Sequence, residues 1–134
     1  MLRLRSALVI AMTIFSAACQ RDGMYGEVVA QIPRPDGRAA AIVTLDDTGG
    51  ATVAADNRVY IRGNDKGEKP TEVLLITKSA QPVVKWTDSK TLIVDAPCGQ
   101  ILRFSNLAYV NLSSHHLDLD QVFVALRNDG FCGN

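Results

Sequence analysis

The chain carries no surplus of charge. Fourteen lysines and arginines meet fourteen aspartates and glutamates over 134 residues. Duplex nucleic acid is held mainly by neutralising phosphates with clustered basic side chains, so that class of partner is excluded. Aromatic residues are scarce at 6%, with a single tryptophan. No glycine-rich phosphate loop, no Gly-x-Ser-x-Gly elbow and no His-Glu-x-x-His pair occurs, which removes the usual anchors of phosphoryl, acyl and zinc chemistry. No repeat of fixed period runs through the sequence, and the length is too short for a full propeller or solenoid. No apolar run approaches the roughly 20 residues that a membrane-spanning helix needs. What is present, 47% hydrophobic and 21% charged, is the composition of one small globular domain, without the polar excess of a disordered chain.

The first eighteen residues read as a targeting segment. Arg3 and Arg5 give a positive start with no acid, and 7–15 is an uncharged stretch only nine residues long. Ser16-Ala17-Ala18-Cys19 follows, and it resembles the lipobox of bacterial lipoproteins, with Ser16 where an aliphatic residue is usual and Phe15 supplying bulk beside it. The resemblance implies that 1–18 is a signal peptide and that Cys19 is acylated and becomes the first residue of the mature chain. Gln20 in the next position is similar to the pattern sorted to the outer membrane, facing the periplasm, in a Gram-negative host. An ordinary secretory signal cleaved near 16–18 is the alternative, and it leaves Cys19 as a free thiol. Losing 1–18 removes two basic residues and no acid, which leaves twelve basic against fourteen acidic residues and a formal charge of −2. Such a surface has no electrostatic attraction to anionic head groups, so membrane association is expected through the lipid anchor.

Three cysteines would leave one unpaired in an exported protein. Acylation of Cys19 leaves Cys98 and Cys132 as an even pair in an oxidising compartment, where a disulfide is expected. Closing that 35-residue ring stabilises by about 3–4 kcal/mol in the chain-entropy description. A catalytic thiol at either position is the functional rival, and no histidine lies close in sequence to support it.

Residues 19–26 are polar and read as a short tether, and 27–134 as a single β domain. Strands are expected at 27–32, 39–45, 52–55, 58–62, 72–77, 83–86, 91–94, 100–104, 107–112 and 122–127, separated by turn chemistry such as Pro33-Arg34-Pro35-Asp36-Gly37 and Thr87-Asp88-Ser89-Lys90. The run 72–77 is nearly continuous in apolar residues, as a central strand requires. In 122–127, Val122, Val124 and Leu126 alternate with Phe123, Ala125 and Arg127, as in a half-buried strand. The predicted class is all-β: a small antiparallel sandwich or partly open barrel with one disulfide.

Gly50-Ala51-Thr52, Val59-Tyr60-Ile61, Val73-Leu74-Leu75-Ile76 and Val84-Lys85-Trp86-Thr87-Asp88 with Thr91-Leu92-Ile93-Val94 are similar, in that order, to small uncharacterised bacterial proteins grouped only as a domain of unknown function. No activity comes with that resemblance. Gly49 stands where members often carry a cysteine, so no disulfide pattern carries over.

One cluster holds ligand-type side chains. His115, His116, Asp118 and Asp120 place two imidazoles and two carboxylates within six residues, a donor set for zinc or a similar divalent ion. Adjacent histidines on an extended strand face opposite ways, so a single site requires a turn there. The plainer reading is a polar connection into the last strand, with the two aspartates opposite Leu117 and Leu119. The lone Trp86 reads as core or edge packing. The functional expectation is a non-catalytic cell-envelope lipoprotein that binds or supports a periplasmic protein partner, without a cofactor. The alternatives are a metal-assisted periplasmic enzyme using the His115, His116, Asp118 and Asp120 cluster, and a small protein inhibitor of a wall-degrading enzyme.

Overall fold

The computed structural model describes residues 23–47, 54–65, 67–113 and 117–130. Among these, nine strands and no helix form: β1 (Glu27–Pro33), β2 (Ala39–Asp46), β3 (Asp56–Gly63), β4 (Thr71–Thr77), β5 (Val83–Trp86), β6 (Thr91–Asp95), β7 (Gln100–Phe104), β8 (Leu107–Asn111) and β9 (Leu119–Arg127). They make two sheets packed face to face, one in the order β1-β2-β3-β4-β7 and the other β5-β6-β9-β8. The fold is thus an all-β sandwich, and it is not closed into a barrel. All neighbours are antiparallel except β6 and β9, which run parallel with Thr91 beside Phe123 and Asp95 beside Arg127. That exception to the expected antiparallel arrangement arises because the last strand enters the middle of the second sheet instead of its edge. The expected strand at 52–55 is not among the nine: 48–53 lie outside the described residues, and 54–55 form the irregular lead into β3.

Alternation decides which face each strand buries. On β2 and β3, Ala39, Ala41, Val43, Val59 and Ile61 point between the sheets, where they meet Val84, Trp86, Leu92, Val94, Val110, Val122 and Val124 of the second sheet in one core. Fully burying one such Val, Leu or Ile side chain contributes about 1.5–3 kcal/mol. On β9 the expected alternation holds, with Val122 and Val124 inward and Phe123 exposed. Strand β4 buries all of Val73 to Ile76, because it lies between β3 and β7 and under β8, and a bulge in its pairing with β3 turns Val73 inward as well. Trp86 belongs to the core, and its indole N–H donates to the Ile32 carbonyl at 3.0 Å, joining the two sheets.

The outward faces differ. Ile42 and Tyr60 on the outer side of the first sheet are nonetheless buried, because Met24 packs over them as a small separate cluster. The packed domain therefore reaches back three residues before β1, into the segment the sequence presents as tether. Where the sheets converge, Gly63 at the end of β3 lies so close to β8 that a Cβ there would sit 2.2 Å from the Asn111 carbonyl oxygen. Only glycine permits that approach.

Candidate functional site

Of the residues singled out from sequence, Cys19, His115, His116 and Cys132 lie outside the described residues. Cys98 sits half-buried in the connection between β6 and β7. Its neighbours are held against the C-terminal segment by two backbone bonds, Asp129 N–H to the Pro97 carbonyl at 3.0 Å and Gly99 N–H to the Gly130 carbonyl at 2.9 Å.

Asp118 and Asp120 are placed, and basic side chains engage both. They share one side of the chain with Val122, as alternation requires, so the exposed residues here are Leu117 and Leu119, the reverse of the polarity expected for a plain solvated connection. Asp120 lies at the rim of the inter-sheet space and accepts from Arg34 Nη1 at 2.7 Å. Arg34, only 2% exposed, also donates from Nε at 2.8 Å and Nη2 at 2.6 Å to the two oxygens of Asp36. Lys90, from the β5–β6 turn, pairs with the other oxygen of Asp120. Arg38 pairs with Asp118 in a more exposed bridge. The hydrogen bond from Arg34 holds the Asp36 carboxyl down to about 2. Asp120 is lowered too, first by Lys90 and then, against the cost of its own burial, by Arg34. The guanidinium is raised in turn, chiefly by Asp36. This network clamps the β1–β2 turn to the second sheet. Among the described residues no three His, Cys, Asp or Glu side chains converge as a metal would require.

A second constellation, not flagged from the sequence, covers the outer face of the first sheet. The register sets Arg58 beside Leu75 and Tyr60 beside Glu72, and Leu75 beside Arg103. Outward residues distant in sequence thereby meet on one surface. Glu72 lies between two guanidinium groups, 3.4 Å from Arg58 Nε and 3.3 Å from Arg103 Nη2. Asp46 and Asp56 flank Arg58 on its far side at 3.6 and 4.0 Å. Arg58 Nε and Nη1 are buried without a hydrogen bond of normal geometry. The Tyr25 ring covers this guanidinium with its centroid 5.0 Å away, and the Tyr25 N–H donates to Tyr60 Oη at 3.1 Å. Burial, reinforced by Glu72, raises the Tyr60 phenol above its usual value, so it is a neutral hydroxyl at physiological pH. An open cleft of about 530 Å³ lies alongside, lined by Tyr25, Tyr60, Glu72, Arg103, Phe104 and Ser105 with Gly23 and Pro70 at its end.

On the opposite side of the molecule, the outer face of β8 and β9 carries exposed apolar and aromatic side chains. Tyr109 (59% exposed) stands opposite Gln121, diagonal to both Leu119 and Phe123 (52% exposed). Side chains at such diagonal positions reach one another when they are aromatic or long.

No family model matches the chain, and no curated protein and no solved structure is significantly similar to it. Chemical capacity is therefore read from the site alone. The cleft offers an exposed cation in Arg103, a carboxylate in Glu72, a neutral phenol and two aromatic faces, which suits recognition of a small ligand bearing both charge signs. No sequence signal marked this group, because its members are single outward residues on four segments that only strand register unites.

Proposed function

We propose that this protein is an exported, lipid-anchored binding module of the bacterial cell envelope. Its signal peptide would end at residue 18, acyl chains on Cys19 would hold it to a membrane, and a Cys98–Cys132 disulfide would staple the C-terminal segment to the β6–β7 connection. The backbone pairing of 97–99 with 129–130 supports that disulfide, since Cys132 follows Gly130 by two residues. The observation that carries the binding role is the exposed row of Tyr109, Leu119 and Phe123 on the outer face of the second sheet. Contiguous exposed apolar and aromatic side chains on a small domain mark an interaction surface, and aromatic residues are the side chains that dominate such interfaces. A periplasmic protein partner would dock there while the lipid fixes the domain in place.

The test begins with the intact mass of protein purified from bacteria expressing all 134 residues, measured before and after reduction and thiol alkylation. The reading requires a chain starting at Cys19 with added lipid, and two thiols that alkylate only after reduction. Photo-crosslinking in the same cells from a probe at Gln121 then tests the face. A discrete cross-linked product that disappears in Tyr109→Ser/Phe123→Ser supports a docking surface, and a pattern indifferent to those changes refutes it.

A further inference from the structure

The first described residue is Gly23, and it is also a wall of the cleft on the outer face of the first sheet. Four residue steps separate it from Cys19. A fully extended chain covers at most roughly 14 Å in that distance. An acyl-bearing Cys19 lies at the head-group level of a bilayer, so the mouth of the cleft is tied within that reach of the membrane surface. Met24, buried over Ile42 and Tyr60, prevents the tether from lengthening by peeling away. Residue 24, one position beyond the end of that span, is thus part of the fold.

What rims the cleft suits that location. Tyr25 and Phe104 are exposed aromatic side chains; tyrosine settles at the membrane–water boundary because one end is apolar and the other polar, and Phe104 beside it adds apolar surface to the rim. The Arg103 side chain is 68% exposed and lines the cleft. Its carboxylate neighbour Glu72 is held at 3.3 Å, longer than a good charge-assisted hydrogen bond. Glu72 in turn faces the same opening. A ligand presenting a phosphate to Arg103 and an ammonium to Glu72 and the Tyr25 ring would replace the Arg103–Glu72 pair with two ion pairs, while the other oxygen of Glu72 keeps its contact with Arg58. The mature chain is mildly acidic overall, so a purely anionic surface would be repelled where a zwitterionic one is not.

We propose that this cleft is a head-group site that receives one phosphatidylethanolamine molecule of the anchoring membrane, with phosphate on Arg103 and ammonium on Glu72. The site rests on the lipid anchor at Cys19. It also gives the sandwich a polarity: the first sheet faces the bilayer, and the Tyr109–Phe123 face of the second sheet points away from it, toward the periplasm.

The experiment uses the full chain expressed in a Gram-negative host, with its lipid confirmed by intact mass, in vesicles of phosphatidylethanolamine and phosphatidylcholine. Hydroxyl-radical footprinting compares it with the Cys19→Ser chain in solution. The expected result is several-fold slower labelling of Tyr25 and Phe104 on vesicles, with Tyr109 and Phe123 unchanged. That protection should weaken when Arg103 is changed to Ala, and when phosphatidylglycerol, which has no ammonium, replaces both zwitterionic lipids. Equal labelling of Tyr25 and Phe104 in the two states, or protection of Tyr109 and Phe123 instead, overturns the site and leaves the anchor standing. Protection indifferent to head group overturns the zwitterionic assignment. Equal protection of the Cys19→Ser chain by water-soluble glycerophosphoethanolamine overturns the membrane as the source. A chain without lipid overturns the anchor, and the site falls with it.

Discussion

Replacing Asp120 with alanine removes one of the three charge-assisted hydrogen bonds on Arg34, a side chain that is 1% exposed. The guanidinium cannot turn to water, and its bidentate partner Asp36 remains, so the main loss is one buried bond and the solvation of one donor, with the exposed Lys90 pair and the bond from Gln121 N–H lost beside it. Hydrogen bonds to charged groups contribute about 1.5–3 kcal/mol each, and breaking a fully buried ion pair costs about 3–5 kcal/mol. The surviving Asp36 contacts place Asp120→Ala at about 2–3 kcal/mol. For a domain of about 110 residues this lowers the melting temperature by roughly 10 °C. Asp118→Ala, two residues away, cuts only the bridge to Arg38, whose partners are 53% and 44% exposed, and should cost less than about 1 kcal/mol. Urea and thermal unfolding of the two variants beside the parent decide the matter. Equal and small effects would refute the assignment of Asp120 to a buried clamp. A zinc titration adds an independent arm: a metal-assisted enzyme built on this cluster needs both carboxylates as ligands, whereas the clamp predicts that neither substitution changes metal affinity.

Acid should expose the same clamp. Asp36 and Asp120 have folded pKa values held below their ordinary ones, so the unfolded chain binds more protons in that window. Their contribution is complete above about pH 4 and is lost as pH falls toward 2; the urea midpoint should drop across that interval, and more steeply in the parent than in Arg34→Met. Gly63→Ala drives a Cβ into the Asn111 carbonyl oxygen at 2.2 Å and should destabilise by about 2–3 kcal/mol or more, measured as a lowered urea midpoint, whereas a neutral result would show that β3 and β8 can separate freely. Trp86→Phe keeps much of the ring but leaves the Ile32 carbonyl without its donor; a loss of about 1–2 kcal/mol is expected, and an unchanged midpoint would mean that this bond between the sheets contributes nothing.

Local pattern carried much of the architecture. Strands β5 and β7 match the expected bounds, and β2, β6 and β8 fall within a residue of them, because turn residues and period-two alternation are properties of adjacent positions. The parallel pairing of β6 with β9 was not legible, since it joins segments 32 residues apart by a register that neither contains. The candidate sites divide in the same way. Asp118 and Asp120 were visible as carboxylates, but their partners Arg34, Arg38 and Lys90 come from two distant turns, and without those partners the pair reads as a polar connection or, in the alternative, as metal ligands. Arg58, Glu72 and Arg103 had no local signature, because each is one polar residue on the outward side of a different strand.

The position of β9 bears on how the domain comes together in time. Because β9 lies between β6 and β8, the second sheet exists only as the β5–β6 hairpin and a separate β8 until the final described strand arrives. A chain ending before residue 119 leaves Val94 and Val110 without the strand that joins them, and exposes two raw sheet edges to any other chain nearby. Acquisition of the native state is thus postponed until β9 is available. The parallel contact, with its large sequence separation, belongs to the slow class of folding steps. A nascent or translocating chain would remain loose until that strand is free, and C-terminal truncation should abolish cooperative folding, not merely weaken it.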